Sequence, residues 1–184
     1  MNKFVELGLS DLLAKKAHIQ GWREPTPIQQ KALPAILQGR DLLAIAQTGS
    51  GKTGAFLLPI LDAIGKKPAL QRPAVLILAP TRELALQLYQ NVEIFAPSLS
   101  LSGALLIGGV SILKQKEKLM ERPEVVVATP GRLLDHIRQK SLDLSGIRYL
   151  VLDEADRMLD MGFLPDIKKI LSLCPAKCQS LLLI

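Results

Sequence analysis

Short, continuously apolar runs recur along the chain, each followed by a longer stretch whose apolar positions repeat at helical spacing. The runs near Leu42–Ala46, Ala74–Ala79, Ala104–Ile107, Val125–Ala128, Tyr149–Asp153 and Ser180–Ile184 predict strands. They do not alternate with polar residues, which is the pattern of strands covered on both faces. Helices are predicted between them, near Lys52–Ile64, Arg82–Phe95, Val110–Glu121, Gly131–Lys140 and Leu164–Leu173. This order of elements implies an α/β fold, a mostly parallel sheet with helices on both sides. In such sheets ligands bind at the carboxyl ends of the strands. Ala46, Ala79, Ala128 and Asp153 close strands there, so the segments after them should converge on one edge.

The first forty residues stand apart. Ser10 to Ile19 has the pattern of a short amphipathic helix. The segment Gly21-Trp-Arg-Glu-Pro-Thr-Pro-Ile-Gln29 then opens a second helix, with Thr26 as N-cap and Pro27 in the first turn. Gln29 stands three residues after the cap, where its side chain can complete a capping box. Its amide could instead offer a donor and an acceptor to an adenine edge, with Trp22 packed on the base. Local pattern leaves both readings open. Pro34 removes a helix hydrogen bond and predicts a kink or an end there.

The candidate chemistry begins at Ala46-Gln-Thr-Gly-Ser-Gly-Lys-Thr53, between a strand and a helix. Gly49 and Gly51 let backbone N–H groups turn around an anion, and the helix N-terminus adds partial positive charge. Lys52 can reach β- and γ-phosphates, and the Thr53 hydroxyl can ligate Mg²⁺. The general phosphate-loop pattern wants glycine where Ala46 stands. Asp153-Glu-Ala-Asp156 follows another buried strand, where a carboxylate can serve Mg²⁺ and Glu154 can orient a water. The plainer alternative is an acidic first helical turn.

Three further loops end strands and precede helices: Pro80-Thr-Arg-Glu-Leu-Ala85, Gly108-Gly109 and Thr129-Pro-Gly-Arg132. Each offers N–H groups and two offer an arginine, which suits a row of phosphates. Lys114, Lys116 and Lys118 read as a solvated helix face.

Composition narrows the classes. The 184 residues are 48% apolar and 22% charged, which fits one globular domain rather than a disordered chain. No apolar run is long enough for a membrane helix, and the N-terminus has no signal-peptide pattern, so a cytoplasmic protein is expected. The net charge of +6 suits a polyanion. Aromatics are only 4%, so nucleic-acid contacts should fall on backbone rather than on stacked bases. Cys174 and Cys178 are too few for a structural zinc site and are read as reduced thiols.

Together these residues resemble a DEAD-box RNA helicase, and the resemblance covers the chain almost end to end. Phe4 and Gly21–Gln29 resemble the Q motif, with Trp22 where the family often has phenylalanine. Ala46–Thr53 resembles motif I, whose first residue in this family is usually alanine. Pro80–Ala85 resembles motif Ia, Gly108-Gly109 the GG element, Thr129–Arg132 motif Ib and Asp153–Asp156 motif II. The resemblance implies a RecA-like P-loop NTPase domain, with residues 1–40 as the Q-motif region and 41–184 as the P-loop core.

It implies ATP and Mg²⁺ as cofactors. Trp22, Thr26 and Gln29 would hold adenine; Thr48, Gly49, Ser50, Gly51, Lys52 and Thr53 would hold phosphates. Thr53 and Asp153 would hold Mg²⁺, with Lys52, Asp153 and Glu154 acting in hydrolysis. RNA would lie by its sugar-phosphate backbone along Pro80, Thr81, Arg82, Glu83, Gly108, Gly109, Thr129, Pro130, Gly131 and Arg132. Asp156 would link to a Ser-Ala-Thr motif that, with a linker and a second RecA-like domain, is expected beyond Ile184. The chain is thus expected to be a monomeric fragment that binds nucleotide and turns it over slowly. The short stretch before Phe4 points to a compact bacterial-type member. An RNA clamp and a small-molecule P-loop kinase are the competing readings; the kinase leaves the Q-like segment and Pro80–Ala85 unexplained.

Overall fold

The computed structural model describes residues 2–67 and 71–184. Six strands form one parallel sheet: β1 (Leu42–Ala44), β2 (Val75–Leu78), β3 (Gly103–Leu106), β4 (Val125–Ala128), β5 (Tyr149–Leu152) and β6 (Gln179–Leu183). Their spatial order is β1-β6-β5-β2-β4-β3, with every neighbouring pair parallel. Each predicted strand is present within two residues of its expected bounds.

The helices are α1 (Lys3–Glu6), α2 (Asp11–Ile19), α3 (Pro27–Leu37), α4 (Lys52–Gly65), α5 (Arg82–Phe95), α6 (Ile112–Met120), α7 (Pro130–Arg138), α8 (Ala155–Asp160) and α9 (Leu164–Leu173). The apolar pattern does not predict α1 or α8, which are too short to show a helical period. Helix α3 runs through Pro34 and ends one turn later. No helix among the described residues is long and apolar enough to cross a membrane. Both cysteines are free.

Side chains along a strand point to opposite faces in turn, and the core divides accordingly. Val75, Ile77, Val125 and Val127 pack with α1 through α5, while Leu76, Leu78, Val126 and Ala128 pack with α6 through α9. Helix α4 is buried on nearly all sides, which explains its almost unbroken apolar sequence. The expectation of strands covered on both faces holds in the sheet centre and fails at one edge. Leu43 (61% exposed), Ile45 (75%) and Leu182 (36%) leave one face of β1 and β6 bare. Parallel pairing carries the end of β6 alongside β1, with Ala46 N–H donating to Ile184 O (3.1 Å).

Candidate nucleotide and phosphate-backbone sites

The loop from Ala46 to Gly51 leaves β1 and enters α4 at the carboxyl edge of the sheet. Gly49 (φ +80°) and Gly51 (φ +88°) hold left-handed backbone that other residues adopt at a cost. The first N–H groups of α4 have no intrahelical acceptor, so they face the loop's concavity. The Ser50 hydroxyl is buried and has no hydrogen-bond partner among the described residues. A cradle of N–H donors with an orphaned hydroxyl fits an oxyanion.

The Q-like segment is pressed onto this loop. Gln29, only 4% exposed, accepts from Thr26 N–H (3.0 Å) and donates to Gly51 O (3.1 Å). Its amide therefore caps α3 and ties α3 to the phosphate loop at once. One N–H and one oxygen lone pair remain, so capping leaves capacity for an adenine edge. A Cβ on Gly54 would lie 2.6 Å from a Trp22 ring carbon and 2.7 Å from Gln29 Nε2; one on Gly51 would lie 2.8 Å from both Gln29 Nε2 and Thr26 Oγ1. Trp22 leans on Phe95, with ring centroids 5.1 Å apart. Phe4 is fully buried in the core beneath this region.

Trp22, Thr26, Gln29, Thr48, Gly49, Gly51, Lys52, Thr53, Asp153 and Glu154 line one cleft of about 670 Å³. Leu84, Gln87 and Asn91 of α5 complete its wall, as does Gly54. Sequence reasoning missed Gly54, Gln87 and Asn91, and read Leu84 only as part of the Pro80–Ala85 loop. The spacing of residues 84, 87 and 91 puts them on one side of a helix, but nothing in the sequence says which ligand that side meets.

Asp153 is buried (5% exposed) at the end of β5, and its Oδ1 accepts from Glu154 N–H (3.0 Å). Burial raises its pKa to about 6, opposed by the Glu154 N–H bond and the Lys52 ammonium. Lys52 Nζ reaches Ile184 O at 3.4 Å. Glu154 carries left-handed backbone (φ +50°) without being glycine, a strained geometry that clusters at functional sites. Its carboxylate pairs with Arg157 (3.1 Å), a partner the sequence did not suggest. Asp156 lies outside the main cleft, on a second hollow shared with Gln47, Lys52 and Ile184.

The three loops after β2, β3 and β4 meet beside this cleft. Thr81 caps α5 by accepting from Leu84 N–H (3.2 Å), leaving Arg82 and Glu83 exposed in the first turn and Pro80 buried behind them. The Arg82 guanidinium lies against Gly108-Gly109; a Cβ on Gly109 would stand 2.5 Å from its Nη1. Thr129 N–H donates to Leu106 O (3.1 Å), Pro130 is buried, and Gly131 is exposed. Arg132 is turned inward: its Nη1 donates to Val110 O (2.9 Å) and to Gln115 Oε1 (3.1 Å). Lys114 is exposed on α6, as read, whereas Lys116 and Lys118 are half-buried.

The model of the DEAD/DEAH box helicase family matches residues 26–183. The chain belongs to that family. A human protein named "Probable ATP-dependent RNA helicase DDX47" is 45% identical over 173 residues, covering 94% of this chain and 38% of the relative. A Neurospora crassa protein named "ATP-dependent rRNA helicase rrp-3" is 48% identical over 181 residues, covering 97% of this chain and 35% of the relative. The crystal structure of a DEAD box protein from the hyperthermophile Methanococcus jannaschii superposes with a TM-score of 0.90 at 39% identity, covering 98% of this chain and 49% of that one. This DEAD-box chain thus spans well under half the length of the curated relatives. None of these three is bacterial, so they lend the bacterial-type expectation no support.

Proposed function

We propose that this chain is the ATP-binding domain of an RNA-dependent ATPase, in which hydrolysis is coupled to RNA binding and local duplex opening. The observation that carries the reading is the shared cleft, which Trp22 and Gln29 line together with the loop residues Thr48, Gly49, Gly51, Lys52 and Thr53 and the carboxylates Asp153 and Glu154. The relatives' names, all of ATP-dependent RNA or rRNA helicases, support it.

Gln29 orients adenine with its remaining donor and acceptor, while Trp22 supplies an apolar wall. The loop N–H groups and Lys52 hold the β- and γ-phosphates where charge develops during transfer. The hydroxyl of Thr53 and the carboxylate of Asp153 are hard oxygen donors and few in number, which suits an ion that keeps several waters. Bound Mg²⁺ would neutralise phosphate charge. Glu154, once released from Arg157, positions the attacking water. Asp156, which shares a hollow with Ile184, serves coupling to a second domain. The exposed Arg82 and the N–H groups around Gly108, Gly109 and Gly131 take successive phosphates of one RNA strand.

Because the relatives are far longer, the arginines expected from a second domain are taken to act from outside these residues. An arginine of that kind is worth about 10³–10⁵ in turnover. The chain alone is therefore expected to bind nucleotide and hydrolyse it slowly.

Calorimetry with Mg²⁺ tests the reading. ADP should bind more tightly than GDP, and Gln29→Ala should erode that preference. Lys52→Ala should weaken both diphosphates. Equal affinity for ADP and GDP in the wild type would sink the adenine assignment. RNA-stimulated turnover by these 184 residues at the rate of a two-domain enzyme would sink the claim of slow turnover. A strand-displacement assay on the longer protein separates unwinding from clamping.

A further inference from the structure

Behind the phosphate-backbone face lies a buried polar network that no motif accounts for. Gln115 on α6 is 4% exposed and His136 on α7 is fully buried. Gln115 Nε2 donates to Ile107 O (2.8 Å), and its Oε1 accepts from Arg132 Nη1 (3.1 Å). A guanidinium can only donate, so the amide orientation is fixed. His136 Nε2 lies 2.9 Å from the same Oε1 and must therefore carry a proton. Its Nδ1 lies 2.8 Å from Ser141 Oγ, and that hydroxyl is also within reach of the His136 carbonyl, donating to it at 3.1 Å. Arg132 Nη1 also donates to Val110 O (2.9 Å). The two carbonyls held by this network, Ile107 and Val110, bracket Gly108-Gly109 on either side.

We propose that Gln115, His136 and Arg132 form an internal buckle that holds the Gly108-Gly109 loop in its RNA-receptive shape, and that Arg132 acts through this buckle rather than by touching a phosphate. The proposal rests on the reading of this face as an RNA-backbone site. Two glycines joined in an exposed loop lose much conformational freedom when ordered, and a loop already fixed does not lose it on binding. The Arg132 side chain is only 17% exposed, and its Nη1 is committed to Val110 O and Gln115 Oε1.

The test measures binding of a fluorescent single-stranded RNA to the 184-residue chain by anisotropy at several salt concentrations, with ADP affinity and thermal melting as controls. Gln115→Leu keeps similar volume and removes both polar ends. It should weaken RNA binding by about tenfold, the cost of freeing roughly one loop residue, with ADP affinity unchanged. Arg132→Ala should do the same, and the double variant should lose no more than either single one. The salt slope should stay constant, because no phosphate contact is lost. His136→Gln, which carries an amide nitrogen in place of Nε2, should bind like the wild type, while His136→Phe should bind like Gln115→Leu. Should Gln115→Leu fail to fold, His136→Phe carries the comparison.

Additive losses, or a slope reduced by about 0.7 in Arg132→Ala alone, would make Arg132 a direct phosphate ligand and overturn the proposal. Unchanged RNA affinity in every variant overturns it equally. Absence of RNA binding by the wild-type chain overturns the underlying assignment of this face, and the proposal with it.

Discussion

Gly54→Ala is the sharpest test of how the nucleotide cleft is built. Gly54 sits in α4 directly after the Lys52-Thr53 pair, where helix propensity alone favours alanine by about 0.5–1 kcal/mol. The structure predicts the opposite sign. The added Cβ would meet a Trp22 ring carbon at 2.6 Å and Gln29 Nε2 at 2.7 Å. The first of these is about 1 Å inside ordinary carbon–carbon contact. Trp22 is packed against Phe95, and Gln29 is tied at both ends of its amide, so moving either breaks existing contacts. Overpacking of this kind costs about 1–3 kcal/mol, and displacing Gln29 breaks its bond to Gly51 O at about 1 kcal/mol more. Against the helix gain, a net loss of about 1–3 kcal/mol in folding stability is expected. The effect on ligand is more diagnostic. Two adenine hydrogen bonds at about 1 kcal/mol each correspond to roughly 30-fold in affinity. ADP binding should fall by about that factor while GDP binding barely moves. Urea unfolding and paired ADP and GDP titrations measure both quantities. A Gly54→Ala variant that melts higher than wild type and binds ADP unchanged would refute the packing argument.

Gly109→Ala combines positive φ (+77°) with a Cβ placed 2.5 Å from Arg82 Nη1, so a stability loss of about 1–2 kcal/mol and weaker RNA binding are expected from urea midpoints and anisotropy. Gly131→Ala meets open space with ordinary backbone, so the fold should gain about 0.4–1 kcal/mol. RNA affinity should nonetheless drop, and unchanged affinity would remove Gly131 from the interface. Burial first, then the Arg132 and Lys116 charges, push the His136 pKa below its usual 6.5. The unfolded chain therefore takes up that proton more readily, and the stability His136 contributes is complete above about pH 6.5 and falls as pH drops below it. Urea midpoints at pH 7.5 and 5.5 should separate more in wild type than in His136→Gln.

The strands were legible because central parallel strands are apolar on both faces, and the sheet offers six runs that no amphipathic helix would produce. The loop Ala46–Thr53 and Asp153 share one cleft, as their places after apolar strands predict, because both fall at the carboxyl edge of the sheet. What the sequence hid is pairwise. Nothing in the local pattern at Gln115 or His136 distinguishes a buried hydrogen-bonding pair from two polar residues on helices, since their meeting depends on how α6 and α7 cross the sheet. Arg157 was hidden for a different reason. Its i,i+3 spacing from Glu154 pairs charges only on a helix, and α8 is too short to show a helical period in the sequence.

Glycine spacing shows the same limit from the other side. Gly49 and Gly51 could be read from the loop alone, because a turn around an anion needs positive φ. Gly51, Gly54, Gly108 and Gly109 have a further reason that lies elsewhere in the chain, side chains from other motifs standing where a Cβ would go. The space a Cβ would take at Gly54 is filled by Trp22 and Gln29, and at Gly108 and Gly109 by Arg82. Each glycine is the imprint of a side chain from another motif. The Q-like segment and the phosphate loop are therefore one fitted part, and the loops after β2 and β3 are another. A substitution in either half of such a part acts on its partner as directly as on itself. That makes Gly131, which no described residue approaches, a position where a ligand's own demand can be measured without loss of folding stability.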